Sequence, residues 1–154
     1  MTLYKFRLAP GSRLLQDAQV IDRLDDGWDF LAQAISLWHL VDPARGAAVV
    51  ALVDRVSNSS EGPTCFAGED LAMLTQMVAG IEDAIRGAGI VDRNGRVPPE
   101  HLAELKRQIP AMDLETERTL DDKTNALLEV IGNADGLHEF LFEALRDGCV
   151  VVNK

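Results

Sequence analysis

Residues 22–41 read DRLDDGWDFLAQAISLWHLV, and the apolar pattern of this stretch decides the predicted fold. Its large apolar side chains recur at intervals of four and three residues, at Leu24, Trp28, Leu31, Ile35 and Trp38. That period places them along one face of an α-helix. We therefore predict a helix from about Asp22 to Val41, with a largely buried second half, as the central element of the fold.

Further helices are predicted on the C-terminal side of this stretch. Asp42-Pro43 supplies an N-cap and a first-turn proline for a second helix. A third helix should end at Gly87-Ala88-Gly89, and its apolar face consists of Leu71, Leu74, Val78, Ile81 and Ile85. Pro98-Pro99 opens a short fourth helix, and two more helices are predicted after Pro110, the last from about Ala134 to Arg146.

Short strands are predicted at both ends of the chain. Tyr4, Phe6 and Leu8 alternate with Lys5 and Arg7, which is the period of a half-buried strand. The run from Cys149 to Val152 predicts a closing strand that can pair with the first one. Asn94-Gly95 predicts a turn between short apolar flanks. The predicted fold class is mainly α, a single domain over residues 1–154 with five to six helices and two terminal strands.

Composition and charge restrict the classes of function. The chain has 154 residues, 47% of them hydrophobic and 26% charged, which is typical of one globular domain and not of a disordered chain. A formal net charge of −10 repels nucleic acid and anionic membranes and favours a basic partner. Because no signal peptide or membrane span is evident and the two cysteines have no metal-ligand spacing, we predict a cytoplasmic location.

No familiar catalytic or metal-binding motif occurs in the sequence. The three histidines, His39, His101 and His138, form neither an HExxH pattern nor a cluster with cysteine. No P-loop, dinucleotide fingerprint or nucleophile elbow is present. We therefore predict no catalytic residues, no metal and no cofactor, and a protein that is not an enzyme.

A group of four aspartates at the start of the first predicted helix is the candidate partner-binding site. Asp22, Asp25, Asp26 and Asp29 have the spacing i, i+3, i+4, i+7, which would place all four carboxylates on one helix face, opposite the apolar stripe. One interpretation is a solvated face whose acids favour the positive end of the helix dipole. The other is a docking patch for Lys or Arg side chains of a partner.

Three stretches resemble the YfbM-like family of small uncharacterised bacterial proteins. The stretch LDDGWDFL at residues 24–31 is similar to a Leu-Asp-Lys-x-Trp helix of that family, and FAGEDL at residues 66–71 is similar to a later helix start. The closing helix and strand, residues 140–152, resemble its C-terminus. The glycine-rich stretch expected between the first two landmarks is missing here. In size and charge such proteins resemble immunity proteins, and the resemblance supplies no catalytic residue.

Three functional hypotheses follow from the sequence. The first is a binding protein, specifically a cytoplasmic immunity protein. It would occlude the active surface of a bacterial toxin, and the toxin domain that it binds would be basic. The second is a phage-type inhibitor that mimics nucleic acid with carboxylates at phosphate-like spacing. The third is a small enzyme that uses paired carboxylates as acid and base, which requires two of them to converge in an apolar cleft.

Overall fold

The chain ends meet in the middle of an antiparallel sheet. In the computed structural model, which describes residues 1–12, 15–59, 61–92, 97–108 and 120–154, strand β1 (Leu3–Arg7) pairs with strand β4 (Val150–Asn153). Strand β2 (Gln19–Leu24) pairs with the other side of β1, and the short β3 (Cys65–Phe66) pairs with β4. The resulting order is β2-β1-β4-β3, and the predicted pairing of the terminal strands is confirmed.

Helices make up most of the described chain, as predicted. Their bounds are α1 Gly27–Val41, α2 Pro43–Asn58, α3 Gly68–Val78, α4 Ile81–Gly87, α5 Pro99–Gln108 and α6 Leu120–Arg146. Asp42 caps α2 as predicted, since its side chain accepts a hydrogen bond from the backbone N–H of Arg45 at 3.2 Å. The turn predicted at Asn94-Gly95 lies outside the described residues.

The start of the first predicted helix is wrong. Residues 19–24 form β2, and α1 begins only at Gly27. Asp26 between them has a left-handed backbone with φ of 58°, which interrupts any helix at this point. A Cβ at Gly27 would lie 3.0 Å from the side chain of Leu3, so the close approach of β1 to the start of α1 favours glycine there. The buried second half of α1 is confirmed, at Leu31, Ala34, Leu37 and Trp38.

Two other helix boundaries also differ from the prediction. The third predicted helix is divided into α3 and α4 at Gly80, which has a left-handed backbone with φ of 79°. Conversely, the last two predicted helices are one helix, because Gly132 and Gly136 are accommodated inside α6. A glycine weakens a helix but does not end it when tertiary packing supports both sides.

The helices cover one face of the sheet. The main core lies between the sheet and four helices, with Leu3 and Val151 of the sheet contributing from this face. A second core joins the C-terminal half of α1 to α4 and α6. The opposite face of the sheet has a smaller cluster, in which Phe6, Val150 and Val152 pack against residues of the segment that links β1 to β2. Strand β2 stands at one edge of the sheet, and only its last residue, Leu24, packs against the main core.

Candidate interaction surface

Strand β2 is an open edge of the sheet. It pairs with β1 on one side, and no described strand lies along its other side. Residues 19–23 are all exposed and Leu24 is half-buried, and β1 is the only described element with which β2 makes an extensive contact. An open edge presents unpaired backbone N–H and C=O groups, so it is a ready template for another strand.

Two aliphatic side chains are exposed on this edge. Val20 is 50% exposed and Ile21 is 36% exposed, although both residues belong to types that are commonly buried. The register between β1 and β2 shifts at this point, because Asp22 lies opposite Lys5 whereas Val20 lies opposite Phe6. Ile21 is therefore the extra residue of a β-bulge.

Asp22 lies beside a buried cation. Lys5 is only 4% exposed, and its Nζ is 4.0 Å from Asp22 Oδ2 and 3.8 Å from Glu143 Oε2. The same Nζ lies 5.7 Å from the centre of the Phe140 ring, so it is held against α6 by charge and by the aromatic face. A buried ammonium needs anionic partners, and Asp22 consequently has a structural role besides any role in binding.

The other three aspartates follow β2 in the turn and in the first turn of α1. Asp25 Oδ1 lies 3.5 Å from Arg23 Nε, and Asp29 Oδ2 lies 3.3 Å from the amino group of Met1. The Asp25 and Asp29 side chains nevertheless stay 67% and 63% exposed. Exposed ion pairs of this kind contribute little, so a partner's cation can replace the intramolecular one. Asp26 is exposed as well.

The structure thus corrects the geometry of the aspartate group but keeps its members at the surface. The four residues do not share one helix face, because Asp22 belongs to a strand, Asp25 and Asp26 to a turn, and Asp29 to α1. They line the open strand and the turn that follows it. We call β2 together with Asp25, Asp26 and Asp29 the acidic edge.

The sequence prediction missed the two exposed aliphatic residues of the acidic edge. Val20 and Ile21 lie outside every predicted element, because the apolar period of residues 24–38 predicts a helix that begins at about Asp22. The available signal was the adjacent pair of β-branched residues, a type enriched in strands. It was a weak signal because β2 is exposed on both sides and so lacks the apolar alternation of a half-buried strand.

Two cavities lie on the sheet face opposite the helices. One has a volume of about 540 Å³ and is lined by Leu8, Leu15, Gly62, Pro63, Cys65, Ala67 and Val150. The other has a volume of about 270 Å³ and is lined by Phe6, Leu15, Gln16, Pro63, Val152 and Lys154. Burial raises the pKa of the Cys65 thiol, which keeps it protonated and weakly nucleophilic near neutral pH. The residues named for these two linings include no Asp or Glu side chain, so neither cavity is the apolar cleft with paired acids that the enzyme hypothesis requires.

Acidic residues also meet where α4 faces α6. Partial burial raises the pKa of Asp135, and the charges of Glu82 and Asp83 raise it further, while His138 opposes them. The folded state therefore disfavours the ionised form of this carboxyl group. The contribution of Asp135 to the free energy of unfolding is largest below the pKa of an aspartate in the unfolded chain, about 3.9. It is lost as the pH rises through the higher pKa that this group has in the folded state.

Replacing Asp135 with asparagine should accordingly stabilise the protein at pH 7. We expect a gain of about 0.3 kcal/mol in the free energy of unfolding, because solvent screens this largely exposed group. The gain should vanish near pH 3, where the carboxyl group is already protonated. Urea unfolding of both proteins at the two pH values measures the effect, with Asp54→Asn on α2 as the control. A gain of equal size at pH 3 would contradict the charge argument.

The described part of the chain offers little else that points to chemistry. It contains no group of three or more His, Cys, Asp or Glu residues placed to hold a metal ion. None of its helices combines the length and the apolar character needed to cross a membrane. Comparisons with family models, curated proteins and solved structures found no match to this chain. The resemblance to the YfbM-like family therefore stays a prediction.

Proposed function

We propose that this chain is a binding protein whose acidic edge recognises a basic protein partner. The observation that carries the proposal is the open strand β2, where exposed Val20 and Ile21 adjoin the exposed carboxylates of Asp22 and Asp25. Aliphatic side chains supply affinity when binding removes them from water, and the surrounding carboxylates attract and select a cationic partner.

The specific form that we propose is a cytoplasmic immunity protein that covers the active surface of a toxin. A net charge of −10 speeds encounter with a basic domain, such as one that must itself bind nucleic acid. A local acidic patch with a few apolar anchors is sufficient for such an inhibitor. A nucleic-acid mimic would instead need carboxylates in a continuous array, whereas Val20, Ile21 and Arg23 interrupt the acids here.

Capture of the partner with two charge variants tests this proposal. The tagged protein is used to capture proteins from its host, the partner is identified, and the affinity of the purified pair is measured. The variant Asp25→Asn/Asp29→Asn is expected to weaken the affinity at least tenfold at low salt, since it removes two exposed charges from the acidic edge. Asp22 is left unchanged because of its contact with buried Lys5.

The matched control changes the net charge by the same amount at positions outside the acidic edge. Asp54→Asn/Glu61→Gln removes two exposed acidic groups, one from α2 and one from the segment between α2 and β3, the strand at the opposite edge of the sheet. The control should bind the partner as the unchanged protein does. Equal weakening by both variants would show a general charge effect and contradict the acidic edge. An acidic partner, or none at all, would contradict the proposed function.

A further inference from the structure

We infer that the acidic edge binds its partner by strand addition, so that an extended basic segment of the partner extends the sheet beyond β2. This inference rests on the proposed function and specifies the chemistry of the segment. The open side of β2 supplies backbone groups for pairing, and an incoming strand competes with Asp22 Oδ1 for the N–H of Arg23, which donates to this oxygen at 2.8 Å. The side chains around the edge decide which segment pairs.

The backbone contribution follows from the sheet order. β2 is paired only with β1 in the described chain, so a further strand can lie along its free side. The strand has six residues, an ordinary length for a strand, whereas β3 at the other edge has only two. Between the two edges, β2 is therefore the one that can hold a segment of useful length.

Side chains at the edge select a segment with alternating basic and aliphatic residues. Asp22 and Val20 are both exposed on β2, so a basic residue beside Asp22 and an aliphatic residue beside Val20 make favourable cross-strand contacts. Asp25 and Asp26 extend the row of carboxylates past the end of the strand, where the Arg23 guanidinium balances one of the two charges. An acidic segment would be repelled by the same groups.

The β-bulge at Ile21 limits promiscuous pairing. A bulge makes an edge less regular, which is one way in which proteins discourage edge-to-edge aggregation. Backbone pairing alone is then insufficient for binding, and the charge and shape of the incoming side chains decide it. Selectivity for basic segments is the expected consequence.

A synthetic peptide tests strand addition without knowledge of the natural partner. The probe is a fluorescent heptapeptide in which Lys and Val alternate, and its binding to the full chain is measured by anisotropy at low salt. We expect a dissociation constant of about 10–100 µM, as for a short strand without other anchors. Amide hydrogen exchange should slow within residues 19–24 when the peptide is added.

Two control peptides separate backbone pairing from charge attraction. The first control is a pair of N-methylated peptides. Each carries methyl groups on alternate amides, so that one peptide is blocked along one edge and the second along the other edge. At least one of the two should bind tenfold or more weakly than the unmodified peptide. In the second control, Glu replaces Lys, and binding should be lost. Equal binding of the unmodified and both N-methylated peptides would overturn strand addition.

Two protein variants locate the site. Val20→Lys/Ile21→Lys places cations on the open edge and should weaken peptide binding at least tenfold, because lysines there repel a basic strand. Met73→Lys/Leu128→Lys adds the same charge at exposed apolar positions of α3 and α6 and should weaken it far less. Circular dichroism of both variants serves to check that they are folded. Equal loss in both would overturn the assignment to β2.

The remaining outcomes distinguish this inference from the proposed function. If residues 19–24 are protected without peptide and the protein sediments as a dimer, a second copy occupies the edge and strand addition by a partner is overturned. If the natural partner is lost in Asp25→Asn/Asp29→Asn but the peptides show no backbone dependence, the proposed function stands and strand addition fails.

Discussion

Replacing Arg45 with alanine is expected to lower the free energy of unfolding by about 2–4 kcal/mol, since hydrogen bonds from charged groups contribute more than neutral ones. The Arg45 guanidinium donates hydrogen bonds to three backbone carbonyls at the end of α3, those of Gln76 at 2.8 Å, Met77 at 2.8 Å and Ala79 at 3.0 Å. These carbonyls lie where a helix runs out of its own donors, so the alanine variant leaves them without this partner. The guanidinium also lies 3.9 Å from the Trp38 ring centre, which joins α1, α2 and α3 through one side chain.

Two further substitutions test whether the fork geometry is the cause. Arg45→Lys keeps the charge, but a lysine has no planar group that can donate to several carbonyls at once. It should therefore lower the free energy of unfolding by less than Arg45→Ala does. Arg55 lies on α2, like Arg45, and forms an exposed ion pair with Asp70 of α3. Arg55→Ala removes this ion pair and should lower the free energy of unfolding by less than about 1 kcal/mol. Urea unfolding measures all three. If Arg45→Ala and Arg55→Ala cost the same, the role given to Arg45 is wrong.

Replacing Gly46 with alanine is expected to destabilise the protein by about 1–3 kcal/mol, although alanine is the better helix former. A Cβ at this position would lie 2.7 Å from Nδ1 of His39 and 2.9 Å from the His39 backbone nitrogen. The imidazole can rotate away, but the backbone nitrogen belongs to α1 and moves only with that helix. The close approach of α1 and α2 across the turn at Asp42 therefore requires glycine.

The same substitution in α6 provides the matched control. A Cβ at Gly132 would meet nothing within 4 Å, and the residue lies inside a helix. Gly132→Ala should therefore stabilise the protein, by about 0.5–1 kcal/mol, through helix propensity alone. Thermal unfolding of both variants measures the two opposite shifts. A stabilising effect of Gly46→Ala would show that α1 and α2 are not in close contact at this point.

The sequence by itself determined the elements for which a local side-chain pattern or a capping residue is sufficient. The second half of α1, the Asp42 cap of α2 and the pairing of the terminal strands were all predicted. In each of these cases the local pattern and the tertiary environment favour the same conformation, so periodicity and capping residues suffice.

The tertiary structure alone decided the elements near the acidic edge. Residues 19–24 form a strand because β1 lies beside them, and Asp26 has a left-handed backbone that no periodicity reveals. The aspartates were identified correctly as exposed acids, but their placement on one helix face was wrong because β2 replaces the first part of that helix. The boundary between β2 and α1 is set by packing against segments that are distant in sequence, such as the packing of Leu3 against Gly27. A local sequence pattern carries no information about such distant residues.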